Sequence, residues 1–166
     1  MIYTTYYNSP IGKLLLASKE NKLIGLWTEG QKYYLSGIEE EFTKNDDEKI
    51  LIETKKWLNR YFNGEKPCPN ELDLAPIGSK FRKNVWDILC KIPYGKVITY
   101  NDIAKEIAKK RKINKMSAQA VGGAVGHNPI SIIIPCHRVI GTNGSLTGYA
   151  GGLDKKEYLL KLENAI

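Results

Sequence analysis

The sequence has few of the residues that build disulfide frameworks or metal sites. Its 166 residues include only three cysteines, at positions 68, 90 and 136, and two histidines, His127 and His137. The cysteines are odd in number and far apart, and none belongs to a CxxC pair. We therefore expect reduced thiols and no structural zinc or other metal.

Long apolar runs are absent as well. No stretch reaches the roughly 18 apolar residues that identify a transmembrane helix. The first twenty residues lack the charged start, apolar core and small-residue cleavage site of a signal peptide. We expect no association with a membrane and a cytoplasmic location, which would be nuclear in a eukaryote.

Positive charge is concentrated in the second half of the chain. Residues 1–78 contain 10 basic and 12 acidic side chains, a net charge of −2, whereas residues 79–166 contain 15 and 6, a net charge of +9, which together give the overall +7. A strongly basic half fits a polyanionic partner, of which nucleic acid is the commonest. A solvated, lysine-rich surface would give the same composition.

The first half is predicted to contain a small sheet and one helix. Runs rich in β-formers are separated by the turn signals "NSPIG" and "KENK", a pattern typical of an antiparallel meander. A helix is predicted in "DDEKILIETKKWLNRYFNG", ending at Asn63-Gly64. The proline-rich stretch "EKPCPNELDLAPIGS" then predicts an extended linker, so we divide the chain into domains 1–78 and 79–166.

The second half is predicted to be helical. "SKFRKNVWDILCKI" reads as a helix with Ser79 as its N-cap, and "TYNDIAKEIAKK" carries a capping box from Thr99 to Asp102. A basic loop, "KKRKINK", leads to a further helix, "SAQAVGGAVGHN", capped by Ser117. Two short helices joined by such a loop fit a helix-turn-helix unit or an ordinary helical hairpin, and the charge asymmetry favours DNA binding.

The helix after Ser117 is unusual because most of its side chains are very small. Ala118, Ala120, Gly122 and Gly123 would let another backbone approach closely. This suits a helix that enters a narrow groove, and it equally suits tight packing against a neighbouring helix. The residues alone do not separate these alternatives.

The stretch "SIIIPCHRVIGTNG", residues 131–144, places a cysteine in an unusual setting. Its isoleucines predict a buried strand that stops at Pro135 and is followed by Cys136, His137 and Arg138. A thiolate is the nucleophilic form of cysteine, and a neighbouring base or cation favours it. The residues are consistent with an active-site thiol or with a buried structural cysteine.

A resemblance to a known protein family favours the active-site thiol over the structural cysteine. "IPCHRVIG", preceded by "QAVGGAVGHNP" and followed by "GYAGGLDKKEYLL", resembles the active-site region of the O6-alkylguanine-DNA alkyltransferases, and the similarity runs from Phe81 to Glu163. The resemblance implies an α+β fold, with a small N-terminal ribonuclease-H-like α/β domain and a winged-helix-like, helix-turn-helix C-terminal domain. It also implies DNA repair by a monomer without a cofactor, acting on double-stranded DNA that contains O6-methylguanine.

The resemblance implies a mechanism and a set of catalytic residues. Such proteins flip the damaged base out of the duplex and transfer its alkyl group irreversibly to a cysteine, so each molecule acts once. By position, Cys136 would be the nucleophile and His137 its water-linked base. Glu163, in the final helix, would orient His137, Asn128 would order the turn around the site, and Tyr100 would donate a proton towards N3 of the leaving guanine.

The resemblance further implies how the substrate is held. The loop "GYAGG" would cover the alkyl pocket, with Tyr149 as a wall and Gly151 giving the backbone close access. Backbone N–H groups near Val139 and Ala150 would bind O6 of the base. Family members often have serine at the position of Ala150, so one side-chain contact would be missing here.

DNA contacts are implied in the same way. The small residues of the second helix, Ala118, Ala120, Gly122 and Gly123, would lie in the minor groove. Gln119 stands where an arginine commonly fills the gap left by the flipped base, so we expect weaker flipping or lower affinity. Arg138 is assigned to DNA binding, with bracing of the two domains as its alternative, and Lys109–Lys112 are expected to contact phosphates.

Three other functions fit the sequence less well. Alkyltransferase-like proteins bind alkylated DNA without repairing it, but they lack the reactive cysteine that this chain has. A transcription factor that reads methylation damage would have a further domain or a cysteine cluster, and neither is evident. A cysteine hydrolase finds no support outside the Cys-His pair.

Overall fold

The structure is a computed structural model that describes all residues, 1–166. It divides into two compact units. The first contains Met1–Ile77 and Pro129–Ile133, and the second contains Gly78–Asn128 and Ile134–Ile166. The sequence-based division at residue 78 remains a prediction, and it differs from these units in the placement of 129–133.

The first unit is built on a four-stranded sheet with one helix. The strands occur in the order β3-β2-β1-β4, and they and the helix have these bounds: β1 Ile2–Ser9, β2 Gly12–Lys19, β3 Lys22–Thr28, β4 Phe42–Lys44 and α1 Lys49–Phe62. β1 to β3 form the predicted antiparallel meander, and β4 pairs in parallel with β1. The "KENK" turn is tight because Glu20 and Asn21 both adopt left-handed backbone conformations.

The isoleucine run does not form the strand that its composition predicts. Ile132, Ile133 and Ile134 are each about 1% exposed, as expected, but they lie in successive turns and Ile132 has a φ of +71°. Pro129 and Pro135 flank this segment, and neither has an N–H to donate to a strand ladder. The segment therefore only touches β3, through an isolated bridge from Ile130 to Leu26, and reaches Cys136 as a turn.

The second unit is mainly helical. Its elements have these bounds: α2 Lys80–Cys90, β5 Ile98–Thr99, α3 Tyr100–Arg111, α4 Ala118–Gly126, β6 Val139–Ile140 and α5 Leu153–Leu162. β5 and β6 form a short parallel pair. The buried Trp86 ties α2 to α4 because its indole N–H donates to the Ala124 carbonyl at 2.9 Å.

The helix starts lie where the sequence predicts them. Ser79, Thr99 and Ser117 each accept a hydrogen bond from the backbone N–H three residues on, and Thr99 forms a complete capping box with Asp102. α3 therefore begins at Tyr100. None of the helices in the structure is both long enough and apolar enough to cross a bilayer.

Candidate active site

Cys136 opens a short 3₁₀ turn, Cys136–Arg138, and is only 6% exposed. Its backbone N–H donates to the Ile134 carbonyl at 2.8 Å, which continues the turn that follows the isoleucines. A 3₁₀ turn has three residues per turn, so successive side chains point about a third of a circle apart. Neighbouring side chains in this turn therefore need not contact each other, although they are adjacent in sequence.

Asn128 holds the backbone on the approach to the thiol. Its side-chain amide donates to the Ile134 carbonyl at 2.7 Å, which joins the residue before segment 129–133 to the residue after it. The same side chain forms a hydrogen bond with the Cys136 thiol that favours the thiolate. Asn128 is buried, so both contacts lie away from bulk water.

The thiol of Cys136 is not a preformed thiolate. Burial raises its pKa above the ordinary value, and the hydrogen bond from Asn128 and the positive charge of Lys156 offset only part of that effect. A proton must therefore leave the thiol during any displacement by sulfur, and a base is needed to accept it. By contrast, burial and the nearby Asp87 carboxylate raise the pKa of the Cys90 thiol to about 11.

His137 and Glu163 form a completely buried pair. Nε2 of His137 lies 2.5 Å from Oε2 of Glu163. Burial lowers the pKa of the imidazole, and the hydrogen bond to Glu163, which accepts, opposes that effect without cancelling it. His137 is therefore neutral near pH 7 and able to accept a proton, with its ring orientation fixed by the carboxylate.

Glu163 lies just beyond the final helix rather than within it. α5 ends at Leu162, and Glu163 is its C-cap. Burial would raise the pKa of this carboxyl, but hydrogen bonds and charges from His137 and Arg138 outweigh it and lower the pKa to about 2. The Gly95 backbone N–H also donates to Oε1 of Glu163 at 3.1 Å. Gly95 has a φ of +79°, and a Cβ there would lie 3.0 Å from the Glu163 carbonyl oxygen, so a side chain at this position would be strained and crowded.

The structure corrects the assignment of Arg138 to DNA binding. Its side chain is 5% exposed, and Nε donates to Oε1 of Glu163 at 2.8 Å while Nη1 donates to the Ile92 carbonyl at 2.7 Å. A guanidinium that is buried and bound in this way cannot also reach a phosphate. Arg138 instead neutralises Glu163, so that the carboxylate remains charged beside His137.

Tyr100 stands at the start of α3 with its hydroxyl directed towards the loop before α5. The hydroxyl donates to the Thr147 carbonyl at 2.9 Å, and the ring lies next to Gly122 of α4. Burial raises the pKa of the phenol, and the hydrogen bond to Thr147 opposes that effect. Tyr100 is therefore protonated at neutral pH and can donate a proton or a hydrogen bond.

Lys156 is a site residue that the sequence analysis missed. It is completely buried, and its ammonium donates to the carbonyls of Val139 at 2.6 Å and Thr147 at 2.8 Å. Burial lowers its pKa to about 8, against the opposing effect of Cys136. The sequence did indicate that Lys156 is buried, because it lies three and four residues before Leu159 and Leu160, on the apolar face of α5.

Val139 and the predicted substrate loop lie in the same unit as these groups. Val139 is fully buried, and its N–H already donates to the Cys136 carbonyl. Tyr149, Ala150 and Gly151 are half-buried in the segment that leads into α5. The Val139 N–H would have to leave the Cys136 carbonyl before it could bind a ligand.

The predicted DNA-binding helix presents a face of small residues to solvent. Ala118, Gln119, Ala120 and Gly123 are exposed and Gly122 is half-buried, while Val121, Ala124 and Val125 are buried. The packing of α4 therefore uses Val121, Ala124 and Val125, and the accessible face carries Gln119 among alanines and glycine. No group of three or more His, Cys, Asp or Glu side chains is arranged to hold a metal ion.

Two family models match nearly the whole chain. Residues 2–76 match the ribonuclease-like domain of 6-O-methylguanine DNA methyltransferase, and residues 80–165 match the DNA-binding domain of the same protein. The two-domain α+β fold predicted from sequence is thereby confirmed.

Comparison with whole proteins indicates the same family. Methylated-DNA–protein-cysteine methyltransferase of Methanosarcina barkeri is 47% identical, with 98% of this chain and 97% of that protein covered. The Haemophilus influenzae protein of the same name is 40% identical, with 98% and 86% covered. The crystal structure of Mycobacterium tuberculosis OGT in complex with DNA superposes with a TM-score of 0.81 at 39% identity, covering 99% of this chain and 92% of that one.

Proposed function

The chain belongs to the 6-O-methylguanine DNA methyltransferase family, and from that premise we propose that it repairs O6-alkylguanine in duplex DNA by direct transfer to Cys136. Its enzyme class is methylated-DNA–protein-cysteine methyltransferase, the name carried by its relatives. The observation that carries the proposal is that a buried thiol, Cys136, is followed directly in the chain by His137, which forms a buried pair with Glu163.

The chemical step is a single displacement at carbon. The Cys136 sulfur attacks the alkyl carbon, the new S–C bond forms as the O6–C bond breaks, and the bonding electron pair passes to the guanine. The thiol loses its proton and the leaving guanine gains one, so the products are a thioether and neutral guanine. The reaction needs no cofactor, and because no group of the protein cleaves a thioether, each molecule acts once.

His137 is proposed to accept the thiol proton, directly or through a water molecule. It is neutral near pH 7 because burial lowers its pKa, and the ionised Glu163 at 2.5 Å would stabilise the imidazolium that forms. The raised pKa of the Cys136 thiol makes this base necessary. Nucleophile, base and orienting carboxylate thus have the roles that they have in other catalytic triads.

Tyr100 is proposed to supply the proton that the leaving guanine needs. A neutral guanine is a far better leaving group than its anion, so a donor towards N3 lowers the barrier. The phenol is protonated at neutral pH, and burial keeps it so by raising its pKa.

Burial of the thiol implies that the damaged guanine must leave the base stack of the duplex. Cys136 is 6% exposed, so an alkyl group inside a duplex cannot reach its sulfur, and flipping of the nucleotide resolves this. Tyr149, Ala150 and Gly151 would line the pocket, with Val139 at its inner end.

We place the DNA at the exposed face of α4, in the minor groove. Its alanines and glycines permit close approach, and Gln119, in the middle of this face, would occupy the gap left by the flipped base. The M. tuberculosis relative, crystallised in complex with DNA, supports DNA as the ligand. The protein would act as a monomer wherever the genome is, in the cytoplasm of a prokaryote or the nucleus of a eukaryote.

Intact-protein mass tests the proposal. After mixing with a duplex that contains one O6-methylguanine, we expect the mass to rise by one methyl group and to stop at one equivalent. Cys136→Ala should abolish the gain, whereas Cys90→Ala and Cys68→Ala, which remove the other two thiols, should not. A protein that binds the lesion tightly without a gain in mass would instead be a damage sensor, and the proposal would be wrong.

A further inference from the structure

Lys156 differs from the other buried charged residues in having no carboxylate partner. Arg138 and Glu163 pair with each other, whereas the completely buried ammonium of Lys156 donates to two backbone carbonyls and lies 6.0 Å from the centroid of the Tyr100 ring. A buried, uncompensated ammonium destabilises a fold relative to an apolar side chain of similar volume. Its presence in the core of the site therefore points to a role other than packing.

The two carbonyls bound by Lys156 belong to two functionally distinct segments. Val139 begins β6 directly after the Cys136–Arg138 turn, and Thr147 precedes the loop 148–152 that is proposed to cover the alkyl group. The ammonium at 2.6 and 2.8 Å from these oxygens holds the two segments together.

The Thr147 carbonyl has a second donor, the hydroxyl of Tyr100 at 2.9 Å. A carbonyl oxygen has two lone pairs, so Tyr100 and Lys156 together satisfy it. When Tyr100 turns its hydroxyl to the base, the Thr147 oxygen loses one donor. Thr147 itself is exposed, and the buried Lys156 ammonium is the protein donor that stays on this oxygen when the hydroxyl leaves it.

We propose that Lys156 is a positioning residue for Tyr100, which keeps the Thr147 carbonyl hydrogen-bonded while the Tyr100 hydroxyl moves from that carbonyl to the substrate base. The inference rests on the proposed function, because it assumes that Tyr100 donates to guanine. Lys156 itself touches neither the base nor the alkyl group.

A double-mutant cycle on the rate of methyl transfer tests the inference. The four proteins are the wild type, Tyr100→Phe, Lys156→Met and the double variant, each mixed in excess with a duplex containing O6-methylguanine. If Lys156 acts through the Tyr100 hydroxyl, Lys156→Met should slow transfer by about tenfold or more in the wild type and by less than about threefold in the Tyr100→Phe background. Equal slowing in both backgrounds would overturn the inference, because Lys156 would then act on the thiol or on the fold.

Two further variants keep the test decisive. Lys161→Met removes a lysine from the exposed face of the same helix and should leave the rate unchanged in both backgrounds. If Lys156→Met does not fold, Lys156→Gln, which keeps an N–H donor, replaces it in the cycle. A wild type that takes no methyl group would refute the proposed function, whereas a wild type that takes it with equal slowing in both backgrounds would refute only the role of Lys156.

Discussion

The Nε2 atom of His137 lies 2.5 Å from Oε2 of Glu163, and neither side chain is exposed to solvent. Arg138, the residue next to His137, binds the other oxygen of the same carboxylate at 2.8 Å. One carboxylate thus binds two side chains that are neighbours in the sequence. This links the stability of the second unit to the protonation of its candidate base.

Replacing Glu163 with glutamine should cost both stability and rate. The amide keeps the size of the carboxylate but leaves the buried Arg138 without a charge partner, so the free energy of unfolding at pH 7 should fall by about 3 kcal/mol. The rate of methyl transfer should fall by about tenfold or more, because the imidazolium is no longer stabilised. Glu157→Gln, on the exposed face of α5, should change stability by less than about 0.5 kcal/mol.

The contribution of Glu163 to stability should decrease as the pH falls. The pKa of Glu163 is about 2 in the folded protein against an ordinary 4.5, so the unfolded chain binds the proton first as the pH falls. The stabilisation is complete above about pH 5 and is lost between about pH 5 and pH 2. Chemical denaturation across this range should show the difference between wild type and Glu163→Gln shrinking towards acid, and a constant difference would contradict the assignment.

His137 should control the acid side of the pH–rate profile. Burial places its pKa below the ordinary 6.5, so the transfer rate should be level near pH 7 and should fall only at more acidic pH, as the imidazole becomes protonated. His137→Gln should slow transfer by about 100-fold and remove this limb. The chain supplies a matched control in His127→Gln, since that variant changes the other histidine and should retain the limb. Single-turnover rates from pH 5 to pH 9 make the comparison.

Local sequence signals predicted the helix starts of the second unit. Ser79, Thr99 and Ser117 cap helices as their sequence patterns indicate, because a cap depends on atoms within three residues. The small residues of α4 were evident in the sequence, but their exposure to solvent was not. These elements account for the position of Tyr100, which follows directly from the capping box at Thr99.

The features that sequence could not predict depend on residues far apart in the chain. The Arg138–Glu163 pair joins positions 25 residues apart, and the basic character of Arg138 suggested a phosphate contact instead. The isoleucine run has the composition of a strand, yet two prolines and a left-handed Ile132 turn it away from the sheet. The apolar face of α5 could have shown that Lys156 is buried, but its two carbonyl partners could not be inferred from spacing.

Gln119→Arg should improve the reaction if α4 carries the residue that replaces the flipped base. A guanidinium there adds a charge and several donors inside the duplex, so affinity for a lesion duplex should increase by roughly tenfold, or about 1.4 kcal/mol, and transfer should be faster at limiting DNA. Thr43→Arg, which adds the same charge on the exposed β4, should not reproduce the effect. Unchanged rate and affinity in Gln119→Arg would place the intercalating residue elsewhere.

Exposed lysines at the end of α3 should provide much of the affinity for DNA. Of the fifteen lysines and arginines in residues 79–166, only Arg138 and Lys161 are ion-paired with a carboxylate, so Lys109, Lys110 and Lys112 are available to phosphates. Each phosphate contact contributes about 0.9 to the slope of log affinity against log salt concentration. Replacing all three with glutamine should therefore reduce the slope by about 2 to 3 and weaken binding to any sequence alike.

The control for this charge change lies in the first half of the chain. Lys22, Lys44 and Lys56 are also exposed, and replacing them with glutamine removes the same charge from the half whose net charge is already negative. Because cations at a helix C-terminus also stabilise the helix, thermal unfolding of both triple variants must first show that each is folded at the assay temperature. Equal loss of salt slope in the two variants would mean that overall charge attracts the DNA. A loss confined to the α3 variant would identify the end of α3 as a phosphate-binding surface.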